Sequence, residues 1–176
     1  MSDGRLPKVF PFVITLCIIA LLFPTSCGKA PPMAPQAFSP QSQIDIVGLN
    51  LPEGLSLQSG LSVTKLIKSK GGKVEIPGFL KLDFPKNALS QETYITITIP
   101  ETDEFIWELE PDGTVFNKEI KLTVYLEYAE DVDSEDIDIF WDDDGSWIGL
   151  NATYDKKHDA YKINLGHFSR YALATE

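Results

Sequence analysis

A histidine and a serine near the C-terminus have the types and spacing that nucleophilic chemistry needs. His167 and Ser169 flank Phe168, and residues two apart in a β-strand lie on the same face. A histidine beside a serine can act as the general base that removes the hydroxyl proton and activates the oxygen. A β-bulge at Gly166 would change this register. The alternative interpretation is that both side chains are hydrogen-bonded parts of the last strand.

Carboxylates occur in two groups that suggest calcium, because Ca²⁺ prefers several carboxylate oxygens on one loop. The first group is Glu130, Asp131, Asp133, Glu135, Asp136 and Asp138, and the second is Asp142, Asp143 and Asp144. The second group does not have the twelve-residue spacing of an EF-hand loop. Solvated loops explain both groups, so we expect no metal site and no cofactor.

Three tryptophans would form a platform for glycan if they shared one exposed surface. They are Trp107, Trp141 and Trp147. Trp141 follows the apolar alternation of its predicted strand, which favours packing in the core. A glycan- or ligand-binding surface therefore stays an alternative rather than the first prediction.

Cys27 is the most informative residue for location. Arg5 and Lys8 precede an apolar run over residues 9–23, and small residues follow it; this order is typical of an export signal. The run is shorter than the ~20 residues that span a bilayer. The small residues that end in Cys27 resemble the lipobox of bacterial lipoproteins. The resemblance implies cleavage before Cys27 and a lipid with fatty acyl chains such as palmitate on its sulfur; an ordinary signal peptide or an uncleaved anchor is the alternative.

These features divide the chain into three parts. Residues 1–26 are the predicted lipoprotein signal peptide, residues 27–43 are the lipidated cysteine and a Pro-rich tether, and residues 44–176 are the folded domain. We expect the protein to be extracytoplasmic and anchored to the bacterial membrane by lipid. Gly28 stands where many inner-membrane lipoproteins carry aspartate, which favours the outer membrane if the host is Gram-negative.

The charge balance excludes one class of partner. The formal net charge is −11, and an acidic surface repels nucleic acid and anionic lipid head groups. Attachment to a membrane would therefore depend on acyl chains. Cys17 lies in the apolar run and would leave with the signal, so no intrachain disulfide is expected.

Alternation with a period of two predicts strands along the rest of the chain. The clearest examples are residues 80–84, 95–99, 120–128 and 137–141, and weaker ones are residues 63–67, 74–76, 105–109, 147–151, 161–165 and 169–173. Turn residues separate them, among them Asp144-Gly145, which predicts a two-residue hairpin. Short strands without intervening helices predict an all-β fold, an antiparallel β-sandwich.

Four segments in sequence order resemble the ZU-five domain, the β-sandwich of zonula occludens protein, netrin receptors and ankyrins. They are Gly71-Gly72, Phe84 to Leu89, Leu109 to Phe116 and His167 to Tyr171. The second segment is similar to the family's I-P-x-G-A-L turn, with Asn87 in place of glycine. Asn tolerates a left-handed backbone better than most residues, so the exchange is physically acceptable. The resemblance covers residues 71–175.

The resemblance also implies a chemistry for the His-Phe-Ser tripeptide, because some ZU-five proteins cleave themselves between Phe and Ser at this motif. Such a reaction here would use His167 and Ser169 and would release only Ser169 to Glu176. Many family members keep a similar sequence without cutting. We expect no enzyme activity apart from this single self-cleavage. The first prediction is an envelope lipoprotein with a structural or protein-interaction domain and an envelope protein as partner.

Overall fold

A computed structural model of the chain describes residues 44–130, 133 and 136–176. The predicted signal peptide, Cys27 and the tether lie outside the described residues, and so do Asp131 and Glu135 of the first acidic group. The described part contains strands and no α-helix.

Twelve strands form the described domain. Their bounds are β1 Asp45–Ile46, β2 Leu61–Ile67, β3 Gly72–Ile76, β4 Leu80–Phe84, β5 Thr93–Ile99, β6 Ile106–Glu110, β7 Val115–Tyr125, β8 Ile137–Asp143, β9 Ser146–Gly149, β10 Thr153–Asp155, β11 Ala160–His167 and β12 Arg170–Thr175.

The strands form two antiparallel sheets. The seven-stranded sheet has the order β2-β5-β6-β12-β8-β9, and β1 pairs with β12. The five-stranded sheet has the order β10-β11-β7-β4-β3. The prediction of an all-β antiparallel sandwich is confirmed.

The core lies between the sheets, and the predicted alternation explains it. Ile95, Ile97 and Ile99 of β5 face Leu122 and Val124 of the other sheet's β7, and all five are fully buried. Since one face of each sheet is apolar, the two faces bury each other.

The strand predicted over residues 120–128 is longer at its start and shorter at its end. It begins at Val115 and ends at Tyr125. Leu126 and Tyr128 still pack against the core, but from a turn in which the Ala129 N–H donates to the Leu126 carbonyl. The apolar alternation extends beyond the end of the strand, because side chains that pack against the core from a turn give the same pattern of apolar residues as a strand does.

Thr123 is buried although the alternation of its strand predicts a solvent-facing position. Its side chain is on the face opposite Val124, as the alternation predicts, yet it is only 3% exposed. Lys81 and Lys162 flank it on the two neighbouring strands. Long lysine stems commonly cover such positions while their ammonium groups stay in water.

Two turns confirm predictions made from single residues. Asp144 and Gly145 have φ values of 51° and 89°, and they join Asp143 to its strand partner Ser146. Two positive φ values are the mark of a type I′ hairpin. Asn87 has a φ of 60°, so it occupies the left-handed conformation expected where the resemblance has glycine.

Candidate functional site

The His-Phe-Ser tripeptide is the crossing between the two sheets. His167 ends β11 in the five-stranded sheet, and Arg170 begins β12 in the seven-stranded one. The strand contains the kind of bulge that would change this register, since the pairing of β11 with β7 shifts between Leu165 and His167. Alternation therefore cannot be carried unchanged through the crossing, and it is Phe168 that enters the core.

His167 contacts its neighbours through both its ring and its backbone. Its Nδ1 is 3.4 Å from the carbonyl oxygen of Phe168. Its ring lies edge-on to Trp141, with 4.7 Å between ring centroids. Its carbonyl oxygen accepts a 2.9 Å hydrogen bond from the hydroxyl of Tyr171. The half-buried imidazole is thus held beside the peptide bond that a self-cleaving reaction would break.

Ser169 is paired with a different partner from the one the sequence suggested. Its hydroxyl donates to the backbone carbonyl of Asp142 over 3.4 Å, and its own carbonyl accepts from the Leu109 N–H at 3.1 Å. No hydrogen bond joins Ser169 to His167 among the described residues. The structure therefore brings the two side chains to one crossing, where each contacts a different backbone carbonyl.

Tyr171 is the buried polar group of this region. Its ring stacks on Trp107 at 6.0 Å with 13° between the planes. Burial, and secondarily the negative charge of Asp112, raise the pKa of the Tyr171 hydroxyl above its usual value. The hydroxyl accordingly stays protonated and donates to the His167 carbonyl. Sequence reasoning could not identify this hydrogen bond, because its acceptor is a backbone atom.

Phe168 packs in a cluster of three aromatic rings. It is 1% exposed, and its ring centroid lies 4.9 Å from that of Phe116 and 6.2 Å from that of Phe84. Phe84 and Phe116 are 6.3 Å apart. All three pairs are edge-to-face, the geometry that aromatic quadrupoles favour.

The four segments that carry the ZU-five resemblance meet at this cluster. A Cβ on Gly71 would lie 2.2 Å from the carbonyl oxygen of Phe84, so glycine is required for the close approach. The Asn117 N–H donates to the Ala88 carbonyl. Phe168 donates its N–H to the Thr114 carbonyl at 3.1 Å, and its carbonyl accepts from the Gly113 N–H at 3.2 Å. Segments distant in sequence are therefore joined at one end of the sandwich.

The tryptophans do not form one exposed platform. Trp107 is fully buried, and among the described residues its Nε1 has no hydrogen-bond partner. Trp141 and Trp147 are half-buried. The Arg170 guanidinium lies 6.0 Å from the ring centroid of Trp147. The core packing predicted for Trp141 is confirmed in part, since the ring packs against the core but is only half-buried.

Arg170 and Ser169 line a groove with acidic walls. Its volume is about 260 Å³. The guanidinium is 3.9 Å from a Glu108 carboxylate oxygen and 3.8 Å from one of Asp142. These long, partly exposed pairs contribute little to stability. The sequence offered no signal for this groove, since its residues come from three separate segments.

Two carboxylates of the acidic groups, Asp138 and Asp142, accept backbone hydrogen bonds that hold loops in place. Asp138 accepts the N–H groups of Ile139, Asn151 and Ala152 at 2.6–2.7 Å. Asp142 accepts the Gly145 N–H at 2.7 Å within the hairpin. Within the described ranges, no group of three or more His, Cys, Asp or Glu residues is placed to hold a metal ion.

A further ionic cluster was not anticipated from the sequence. Asp155 contacts both Lys162 and His158. The hydrogen bonds from Lys162, then from His158, lower the pKa of the Asp155 carboxyl. The cluster ties the β10–β11 turn to β11.

Comparisons with known proteins add no assignment: no protein-family model matches the chain, and no curated protein matches it either. The described residues include no helix long and apolar enough to cross a membrane.

Proposed function

We propose that this protein is a bacterial envelope lipoprotein, anchored through a lipid on Cys27, whose β-sandwich has a structural or protein-binding role. The observation that carries the second half of the proposal is the burial of Phe168 among Phe84 and Phe116. The tripeptide with the best potential for chemistry is used to join the two sheets. Because the tripeptide packs in the core, the domain is suited to a structural role or to binding another protein through its stable surface.

The anchor rests on the sequence around Cys27. The order of basic residues, short apolar run and small residues supports export, and the cysteine supports lipidation. A net charge of −11 disfavours direct contact with anionic lipids. Two or more acyl chains would hold the protein at the membrane, since each buried methylene contributes about 0.8 kcal/mol.

Replacement of the cysteine tests the anchor. Cys27→Ala removes the sulfur that would carry the lipid, so the protein should leave the detergent-extracted membrane fraction as a soluble chain or remain an unprocessed precursor. Cell fractionation followed by immunoblotting measures this, with Cys17→Ala as the matched control that should remain membrane-bound. Unchanged membrane attachment of Cys27→Ala would exclude lipid anchoring at this residue. Independently of this test, a pull-down from envelope extract with the wild-type protein would identify the protein partner.

Self-cleavage between Phe168 and Ser169 is the second candidate, and one observation favours it. The Phe168 carbonyl oxygen accepts the Gly113 N–H at 3.2 Å and lies 3.4 Å from His167 Nδ1. Two donors at this oxygen would stabilise the oxyanion that forms when the Ser169 hydroxyl attacks the carbonyl carbon. The hydroxyl proton would pass to a base, the amide C–N bond would break, and water would open the resulting ester. His167 is better situated here to donate to the oxyanion than to activate Ser169, which leaves the base unassigned.

A glycan-binding surface is the third candidate. Trp141 and Trp147 are the tryptophans that retain exposed surface, since Trp107 is in the core. Binding to a carbohydrate array that is lost in Trp147→Ala would support it.

A further inference from the structure

The lysines of this acidic chain are not spread evenly along it. Residues 61–92 and 115–121 contain eight lysines and four acidic residues, whereas the whole chain has 15 basic and 26 acidic residues. These two ranges include the turn between β2 and β3, the loop after β4 and the start of β7. We call five exposed lysines of these segments the lysine patch: Lys68, Lys70, Lys73, Lys86 and Lys118.

Backbone hydrogen bonds join the segments that carry the lysine patch. The Asn87 N–H donates to the Ser69 carbonyl at 2.8 Å, which ties the loop after β4 to the β2–β3 turn. The Asn117 N–H donates to the Ala88 carbonyl at 2.8 Å, which ties the start of β7 to the same loop. Three segments that are distant in sequence therefore present their lysines at one end of the sandwich.

Two lysines of the patch have a carboxylate partner. Lys68 lies 3.5 Å from a Glu92 carboxylate oxygen, and Lys73 lies 3.0 Å from one of Glu75. Water surrounds most of these side chains, so the two pairs hold little energy. An anionic partner could displace either carboxylate at small cost.

The other three lysines leave positive charge uncompensated. Lys70, Lys86 and Lys118 take part in no ion pair within the part of the chain that the structure describes. The Lys118 ammonium donates to the Lys86 carbonyl at 3.0 Å, so it is held beside a second lysine. Like charges brought together repel each other, and this arrangement therefore does not serve stability. It concentrates positive charge on one surface.

The residue types of the patch indicate the chemistry of a partner. Its basic residues are all lysines, and an ammonium is a point charge without the forked geometry of arginine. Such charges suit many anions repeated along a flexible chain better than one rigid anion. The exposed side chains of Ser69, Asn87 and Asn117 add uncharged donors, and phosphate oxygens accept hydrogen bonds from both kinds of group.

Nearby carboxylates disfavour a flat anionic surface as the partner. Asp112, Asp142 and Asp144 line the groove beside Ser169, which adjoins the same end of the sandwich. A membrane with anionic head groups would approach the lysines and these carboxylates together, and the carboxylates would repel it. A flexible chain can follow the lysines alone.

We propose that the lysine patch binds a linear polymer that carries phosphate groups along its chain. The proposal rests on the extracytoplasmic location proposed above, which makes the partner a polymer of the envelope rather than nucleic acid. The charge complementarity is local, because the formal net charge of the whole chain is −11. The contacts are electrostatic, so binding depends strongly on salt.

Binding of long-chain polyphosphate to the full-length protein, purified in detergent, tests the proposal. We expect an affinity that falls steeply as the NaCl concentration rises. The double variant Lys70→Gln/Lys86→Gln should bind about tenfold more weakly or worse, since each lysine near an anionic surface changes affinity several-fold. The matched control is Lys156→Gln/Lys157→Gln, which removes the same charge from the exposed β10–β11 turn. It should change the affinity by less than about twofold, because screening weakens distant charges.

Other outcomes would overturn the proposal. Equal affinity of wild type and Lys70→Gln/Lys86→Gln, or no binding of polyphosphate at low salt, would show that the patch is not the site. Binding only to vesicles of equal parts phosphatidylglycerol and phosphatidylcholine would assign the patch to a membrane surface. Binding only to poly-L-glutamate would assign it to an acidic protein. The fractionation of Cys27→Ala tests location separately, so a failure of binding leaves the proposed anchor unaffected.

Discussion

At the scale of single residues, polar groups around the tripeptide have structural partners. The Tyr171 hydroxyl donates to the His167 carbonyl, and the Ser169 hydroxyl to that of Asp142. Residue types and spacing identified His167 and Ser169 as a potential pair. They could not identify these acceptors, because backbone carbonyls carry no sequence signature and come from other strands.

Tyr171→Phe is expected to destabilise the domain in a pH-dependent way. Loss of the hydrogen bond to His167 should cost about 1 kcal/mol near neutral pH. Burial raises the pKa of the Tyr171 hydroxyl, while the unfolded chain ionises near its ordinary value of about 10. The unfolded state therefore binds fewer protons above that pH, so this contribution is present below pH ~10 and is lost as the pH rises further.

Urea unfolding at pH 8 and at pH 10.5 measures this effect. The difference between wild type and Tyr171→Phe should shrink at the higher pH. Tyr94→Phe is the matched control, because Tyr94 is 66% exposed; it should leave both midpoints nearly unchanged. A difference that grows with pH would contradict the assignment of a protonated, buried hydroxyl.

At the scale of elements, the alternation of apolar residues predicted which strand face lies in the core. It predicted less well where the strands end and which residues are buried on the face away from the core. It identified Leu122 and Val124 as core residues, and both are fully buried. It could not foresee that Thr123, between Lys81 and Lys162, is buried on the outer face. It also missed β1 and β10, since two or three residues give no period. The burial of Ile106 and Phe140 was missed for a different reason: alternation predicts one buried face for a strand, and these two residues lie on the other face.

A pair of substitutions on β7 tests the face assignment. Val124 pairs with Leu80 and Tyr161 and is fully buried, so Val124→Asn should bury an unpaired amide at a cost of about 3 kcal/mol or more. Lys121 is exposed on the same strand's opposite face, and Lys121→Asn should cost under about 0.5 kcal/mol. Thermal melting compares them. Similar losses of stability in both variants would contradict the assignment of Val124 to the core face of β7 and of Lys121 to its outer face.

The left-handed turn at Asn87 gives a second test at this scale. Its φ of 60° suits glycine and asparagine, so Asn87→Gly should be close to neutral. Asn87→Ala should cost roughly 1 kcal/mol, because a Cβ strains this conformation without an asparagine's local hydrogen bonding. Chemical denaturation of the two variants measures the difference, and an alanine variant as stable as the glycine variant would argue against the left-handed turn.

At the scale of the whole molecule, some features follow from local sequence properties and others depend on how distant segments meet. The β-sandwich followed from period-two alternation and turn residues, which are local properties. The meeting of Gly71, Asn87, Gly113 and Phe168 at one end of the domain did not, because it depends on how two sheets cross. The anchor at Cys27 stays a prediction from sequence.

The intact mass of the protein purified from its own membrane tests the central proposal most directly, since one spectrum reports both ends of the chain. We predict a mass equal to Cys27 to Glu176 plus lipid, with no shorter species. A chain that begins at another residue, or one without acyl mass, would contradict the lipoprotein assignment. A species lacking Ser169 to Glu176, and absent in Ser169→Ala, would instead show that the tripeptide cleaves itself.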